Sequence, residues 1–220
     1  MSKDTGRTAE TAVLCDFDGT IAADDVGHAF FRTFAGPAWE AVVHDWEEGR
    51  IGSRECLEKE CALARATPAD LETFAGKQTI DPGFADLVRW ARDRFFPVAV
   101  VSDGFREYIA PILGRHGVEA PVFANRVAFN GDRLTPSFPY FEQGCGRCAN
   151  CKGYHVGRYA DAGYRTVFIG DGLSDLCALP RADLVLAKDA LAEHCDTHGV
   201  PYRPYTDLAD ALRIVQRPCR

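Results

Sequence analysis

Long apolar runs are missing from this chain. No stretch of its 220 residues has the length of apolar sequence that a bilayer-spanning helix requires, which excludes a membrane partner of that kind. Residues Met1 to Glu10 are polar and lack the apolar centre of a secretory signal. They read as a disordered lead-in, and the expected location is cytoplasmic. An excess of basic charge is missing too. The net charge is −7, whereas nucleic-acid binders usually present a basic patch, so no nucleic-acid partner is expected. Internal repeats and low-complexity segments are absent, which excludes repeat architectures. What remains is a chain, 46% hydrophobic, long enough for one sizeable core and a small second module.

Cysteine, by contrast, is plentiful. There are nine, an odd number, and no export signal accompanies them, so a disulfide framework is not expected. Cys15, Cys56, Cys61, Cys177, Cys195 and Cys219 are scattered, while Cys145, Cys148 and Cys151 are clustered.

The most informative segment is Val13-Leu14-Cys15-Asp16-Phe17-Asp18-Gly19-Thr20. An apolar run that stops at two acids and a glycine reads as a strand ending at a chemical site. Strand alternation sends Asp16 and Asp18 to the same side. Like charges there raise each other's pKa, and a hard cation such as Mg²⁺, which prefers oxygen ligands, relieves that conflict. An EF-hand loop begins similarly but needs Gly at loop position 6 and Glu at position 12. Counted from Asp16, those places hold Ile21 and Gly27.

Thr11 to Asp16 reads as a buried strand. Apolar spacing then predicts helices over 26–34, 38–48, 53–66 and 68–76, with Ser53 and Thr67 as N-caps. A helix over 84–94 precedes an apolar, β-rich run over 95–101 that ends at Ser102-Asp103-Gly104. A helix over 105–116 follows, then one or two strands over 121–129. Asn130-Gly131-Asp132 is a hairpin turn. A helix over 153–162, a strand over 166–169 ending at Gly170-Asp171-Gly172, a helix over 173–179, a strand over 183–186 and two helical stretches complete the chain. Alternating strands and helices predict an α/β fold of three layers around a parallel sheet. The core is expected over 11–22 and 80–220, with a helical insert over 23–79. Strands ending in Asp, Ser and Asp predict one site at the carboxyl edge of that sheet.

Singly, these residues have bland readings: Asp171 a turn acid, Asp175 an exposed helix residue, Lys152 a surface lysine, Ser102 a helix cap. Together they follow an order. Asp16-Phe17-Asp18-Gly19-Thr20, Ser102, Lys152 and Gly170-Asp171-Gly172-Leu173-Ser174-Asp175 each stand at the end or start of a successive element. In this the chain resembles phosphatases of the haloacid dehalogenase superfamily, in the subgroup similar to phosphoserine phosphatase. The resemblance implies a Rossmann-like core and makes the 23–79 insert a cap that closes over the site. It implies Asp16 as the nucleophile that becomes an aspartyl phosphate and Asp18 as general acid and base. It implies Mg²⁺ held by Asp16, the backbone carbonyl of Asp18 and Asp171, with Asp175 positioning a water or Lys152. Ser102, Asp103 and Gly104 would meet the phosphoryl group, Lys152 would stabilise its charge, and Thr20 would fix the loop. Asp25, Arg50 and Arg54 are the candidate cap contacts to substrate. The partner expected is a small phosphorylated metabolite, and the expected state is monomer or homodimer.

The Cys- and Gly-rich stretch ending in Cys151-Lys152 is similar to a branch acting on 2-hydroxy-3-keto-5-methylthiopentenyl-1-phosphate in methionine salvage. Phosphoserine, phosphocholine and phosphoethanolamine remain alternative substrates. Phosphotransfer to an alcohol and a non-catalytic zinc-binding module remain alternative functions. Cys145, Cys148 and Cys151 have spacings that suit a structural Zn²⁺ or an iron–sulfur cluster. Three ligands need a fourth, for which His155 is the nearest candidate. Free thiols, or one oxidised pair, are the other reading.

Overall fold

In β1 (Thr11–Cys15), alternate side chains enter two different cores. Val13 and Cys15 join the larger apolar cluster on one sheet face, and Ala12 and Leu14 join the smaller cluster on the other. A strand buried on both faces is central to a sheet covered by helices on both sides. The computed structural model describes residues 10–217. Residues 1–9 of the expected lead-in, and Cys219, lie outside them.

Four helices follow β1: α1 (Val26–Phe34), α2 (Trp39–Glu47), α3 (Ser53–Leu63) and α4 (Pro68–Ala75). Then come α5 (Gly83–Arg92), β2 (Val98–Phe105), α6 (Arg106–Arg115), β3 (Val122–Asn130) and β4 (Arg133–Ser137). The chain continues through α7 (Lys152–Asp161), β5 (Arg165–Gly170), a 3₁₀ segment (Leu173–Arg181), β6 (Leu184–Ala187), α8 (Asp189–His198), β7 (Arg203–Pro204) and α9 (Leu208–Gln216). The sheet order is β4-β3-β2-β1-β5-β6-β7. All pairs are parallel except the β3–β4 hairpin. The chain leaves β1 toward one edge and returns to its other side at β5. That reversal opens a crevice beyond the strand ends.

Register decides which residues meet there. Cys15 pairs with Val100 on one side and with Ile169 on the other. The next residues along each strand are therefore neighbours: Asp16, the Ser102 segment, and Gly170-Asp171.

Helices α1 and α4 hold together through aromatic rings. Phe30 packs against Phe34 at 4.9 Å and against Phe74 at 5.5 Å. Phe31 reaches Phe105 of β2 at 6.2 Å and ties this segment to the sheet. A single bridge between Ala22 and Ile80 closes the segment where the chain leaves and re-enters the sheet domain.

Several local features differ from expectation. Thr67 does cap α4, and Asp70 answers it in a reciprocal capping box. Ser53 does not cap α3: Gly52 stands at that position, and the Ser53 hydroxyl accepts from Trp46 Nε1 at 3.1 Å. The strand expected from Phe95 begins at Val98, because Phe95 sits in a turn with φ 58° and is 89% exposed. The helix expected over 173–179 is 3₁₀ and contains Pro180, which cannot donate to a helical ladder. The two-residue β7 is too short to leave a periodic signal.

Candidate active site

A fully buried group of charges lies at the end of β1. Asp16, Lys152 and Asp175 are all buried, and Lys152 Nζ lies 2.8 Å from Asp16 Oδ1 and 2.5 Å from Asp175 Oδ1. Each side chain arrives from a different element. Asp16 follows β1, Lys152 opens α7, and Asp175 lies in the 3₁₀ segment after β5. A buried ammonium between two carboxylates is tolerable because each charge has partners. Although burial acts against its charge, Asp16 and Asp175 hold the Lys152 ammonium well above the ordinary lysine range. Burial first, and then the Asp175 charge, push Asp16 well above the carboxylate range, against the pull of Lys152.

Asp175 also fixes the adjoining loop. Its Oδ2 accepts the backbone N–H groups of Asp171 at 2.9 Å and Gly172 at 3.1 Å. Ser174 Oγ accepts from Lys152 Nζ at 2.8 Å, a contact that no reading of the motif had assigned. Thr20 donates to Asp171 Oδ1 at 2.6 Å, which ties the first motif to the fourth. Gly19, at φ +75°, is needed here, since a Cβ on it would stand 2.2 Å from Asp171 Oδ2.

Asp16, Asp171 and Asp175 bring carboxylate oxygens within 4.8 Å of one another. With all three carboxylates ionised, the single Lys152 ammonium would leave two negative charges uncompensated in a desolvated site, and a cation would relieve that excess. Burial raises Asp171 to about 6. Among the described residues no hydrogen bond engages Oδ2 of Asp16 or of Asp171; their Oδ1 atoms are the ones already used. Two free hard oxygens with surplus negative charge fit a divalent cation such as Mg²⁺.

Asp18 is turned elsewhere. Its Oδ1 accepts from the backbone N–H of Val26 at 2.8 Å and of Gly27 at 3.2 Å. Its Oδ2 receives Tyr108 Oη at 3.2 Å and Ser102 Oγ at 3.4 Å. The Asp18 carboxylate is thus outside the acidic cluster, so the expected metal role can only fall to its backbone. Burial, then the nearby Asp25 charge, raise its pKa to about 7. Tyr108, buried on α6, was not foreseen; an aromatic on an amphipathic helix reads as core until its hydroxyl is placed.

The other expected contacts divide. Ser102, Asp103, Gly104 and Asp25 line the same cavity as Asp16 and Asp18. The Gly104 N–H is donated to Ser102 Oγ at 2.9 Å. Asp103 accepts from the Asn150 N–H at 2.6 Å and so anchors the cysteine loop. Asp25 caps α1 through the His28 N–H. Arg50 and Arg54 are not brought to the cavity. Arg50 is exposed and paired with Asp45, and Arg54 pairs with Glu58 and lies over the Phe141 ring. Nearby acids, Asp45 and Glu58, pair with the two guanidinium groups instead.

The cavity, of about 200 Å³, is lined on its far side by the helical segment. Phe31, Val43, Trp46 and Leu57 give it an apolar wall, and Glu60 stands among them. Lys152 is the only lysine or arginine that lines it among the described residues.

Behind Lys152 the cysteines gather. Sulfurs of Cys145, Cys148, Cys151 and Cys177 all lie within 4.8 Å of one another. The fourth member is Cys177, far from the other three in sequence, and the expected fourth ligand His155 takes no part. The His155 ring is buried, stacks on Phe123 and pairs through Nε2 with Asn150 Oδ1 at 2.7 Å. Burial first, and then Arg158, lower its pKa to about 4 and keep it neutral. Among the described residues all cysteines are free thiols.

Comparison with known proteins accords with this geometry. The profile of the haloacid dehalogenase-like hydrolase family matches residues 13–180. A 2-hydroxy-3-keto-5-methylthiopentenyl-1-phosphate phosphatase of Brevibacillus brevis is 31% identical, over 93% of this chain and 95% of its own. The protein of that name from Geobacillus kaustophilus is 30% identical, over 96% of this chain and 97% of its own. A substrate-bound phosphoserine phosphatase structure superposes with a TM-score of 0.72 at 22% identity, covering 94% of this chain and 99% of that one. At that identity the likeness shows the fold alone. Among the described residues no helix is long and apolar enough to cross a membrane.

Proposed function

The chain belongs to the haloacid dehalogenase-like hydrolase family, and from that premise we propose a Mg²⁺-dependent phosphatase acting on a small phosphomonoester through Asp16. The observation that carries the reading is one cavity faced by two unlike carboxylates. Asp16 is braced by an ammonium within a cluster suited to a cation, and Asp18 sits apart with a pKa of about 7. Environments that push two acids to different roles mark acid–base assignments.

Asp16 attacks phosphorus, the P–O bond to the leaving group breaks, and an aspartyl phosphate forms. Asp18, protonated in part at neutral pH, delivers its proton to the departing oxygen. The resulting carboxylate then takes a proton from water, which attacks phosphorus and releases phosphate and free Asp16. Lys152, held by Asp175 and Ser174, stabilises charge on the phosphoryl oxygens. Tyr108 and the Val26 and Gly27 amides keep Asp18 aimed. Mg²⁺, held by Asp16 and Asp171, would neutralise charge on the transferring group.

The helical segment is read as a cap whose inner face meets the rest of the substrate. Its apolar wall suits a methylthio chain, and the curated relatives carry that substrate in their names. We therefore assign 2-hydroxy-3-keto-5-methylthiopentenyl-1-phosphate as the substrate. Phosphoserine would bring a carboxylate to a cavity where Lys152, the one lysine lining it among the described residues, is already committed to the phosphoryl end.

The test is phosphate release from that ester, phosphoserine, phosphocholine and phosphoethanolamine, each with Mg²⁺ and with EDTA. Mg²⁺-dependent turnover led by the methylthio ester is expected. Preference for phosphoserine would overturn the substrate, and a folded protein inert toward all four would overturn the activity.

A further inference from the structure

We propose that Cys145, Cys148, Cys151 and Cys177 bind one zinc ion, which staples the loop carrying Lys152 to the segment carrying Asp175. A zinc–thiolate bond of about 2.3 Å in a tetrahedron places neighbouring sulfurs about 3.8 Å apart. Cys148 and Cys177 stand 3.8 Å apart, and the whole set spans no more than 4.8 Å. A disulfide requires about 2.05 Å, so the four are not arranged as bonded pairs. In a four-iron cluster each thiolate binds a different iron, which spreads the sulfurs more widely than a single ion does.

The surroundings are those of a built site. The Cys148 N–H donates to Cys145 Sγ at 3.4 Å, as in turns that wrap a metal. Four thiolates around Zn²⁺ leave a net charge of −2, and the thiol protons are released on binding.

The four ligands come from both sides of the active site. Cys151 is the residue before Lys152 and stands at the N-cap position of α7. Cys177 lies two residues beyond Asp175. Within the same loop, the Arg147 carbonyl accepts the Ser53 N–H at the start of α3, at 2.9 Å. Asn150 Nδ2 donates to the carbonyls of Ser102 and Phe123, both at 2.8 Å. One ion would thus fix the point where the helical segment, β2, α7 and the 3₁₀ segment converge. This loop has little apolar matter of its own, and a structural zinc supplies the folding energy that a small core cannot.

Metal content is counted without substrate, so this proposal stands or falls apart from the assigned activity. Protein purified without chelator is analysed for zinc and iron, then reconstituted with Co²⁺ after metal removal. One zinc per chain is expected, with the intense visible bands of tetrahedral cobalt thiolate on exchange. Cys145→Ser combined with Cys177→Ser should reduce zinc to the blank and lower the melting temperature, while Cys195→Ser retains zinc. Because Cys145 is exposed, Cys145→Ser alone serves if the double variant fails to fold. Folded wild-type protein with four freely reactive thiols and no cobalt uptake would overturn the site. So would a Cys148–Cys177 disulfide in the purified chain, or iron in place of zinc.

Discussion

Asp16 and Asp18 are two residues apart and chemically unlike, and the difference comes from their neighbours. Asp16 meets an ammonium and two further acids, whereas Asp18 meets two backbone amides, a serine and a tyrosine. Replacing Asp16 with Asn keeps the shape and removes the proposed nucleophile. Turnover should fall by roughly a thousandfold or more with the fold intact by circular dichroism. Asp18→Asn should cost roughly a hundredfold or more. With a pKa of about 7, Asp18 loses its acid form as pH rises through that value and its base form as pH falls through it. Wild-type turnover should therefore decline on both sides of about pH 7, and the Asn variant should lose that dependence; an unchanged profile would remove Asp18 from the proton transfers. The acids were legible in the sequence because each lies at a strand end, where type and position coincide. Tyr108 was not, since its hydroxyl is turned to Asp18 only by the packing of α6.

At the scale of elements, the site depends on how closely α7 approaches the 3₁₀ segment. A Cβ on Gly153 would stand 2.1 Å from the Cys177 carbonyl oxygen. Backbone does not yield as a flexible side chain would, so Gly153→Ala should force the two apart. A loss of about 1–3 kcal/mol in urea unfolding is expected, typical of overpacking. Because Lys152 begins the same helix, kcat should fall as well. An unaltered unfolding midpoint would mean that the contact relaxes freely. Helix periods revealed α7 in the sequence, but they gave no hint of which residue touches its neighbour. The four-cysteine group shows the same limit: three members declared themselves by spacing, and Cys177 joins only through the fold.

For the molecule as a whole, the cost of burying acids should appear in its stability against pH. Glu60 on α3 is buried, its Oε1 accepts Trp39 Nε1 at 2.7 Å, and burial raises its pKa from 4.5 to about 7. Below about 4.5 it is protonated whether folded or unfolded. Between 4.5 and about 7 the unfolded chain ionises first and binds fewer protons, so stability falls as pH rises. Above about 7 the loss is complete, on the order of 3 kcal/mol. Glu60→Gln keeps an acceptor for Trp39 and should melt higher than wild type at pH 8 yet alike near pH 4.5. Equal melting at both pH values would show that Glu60 does not titrate with folding. Local pattern alone reveals the α/β class and the order of the four motifs. Those follow from local periodicity and from which side chains can end a strand. Packing settles the rest: Arg50 and Arg54 pair with exposed acids, Asp18 leaves the acidic cluster, and Cys177 completes the sulfur group. Side-chain direction and contacts between distant elements depend on packing, which no local pattern records.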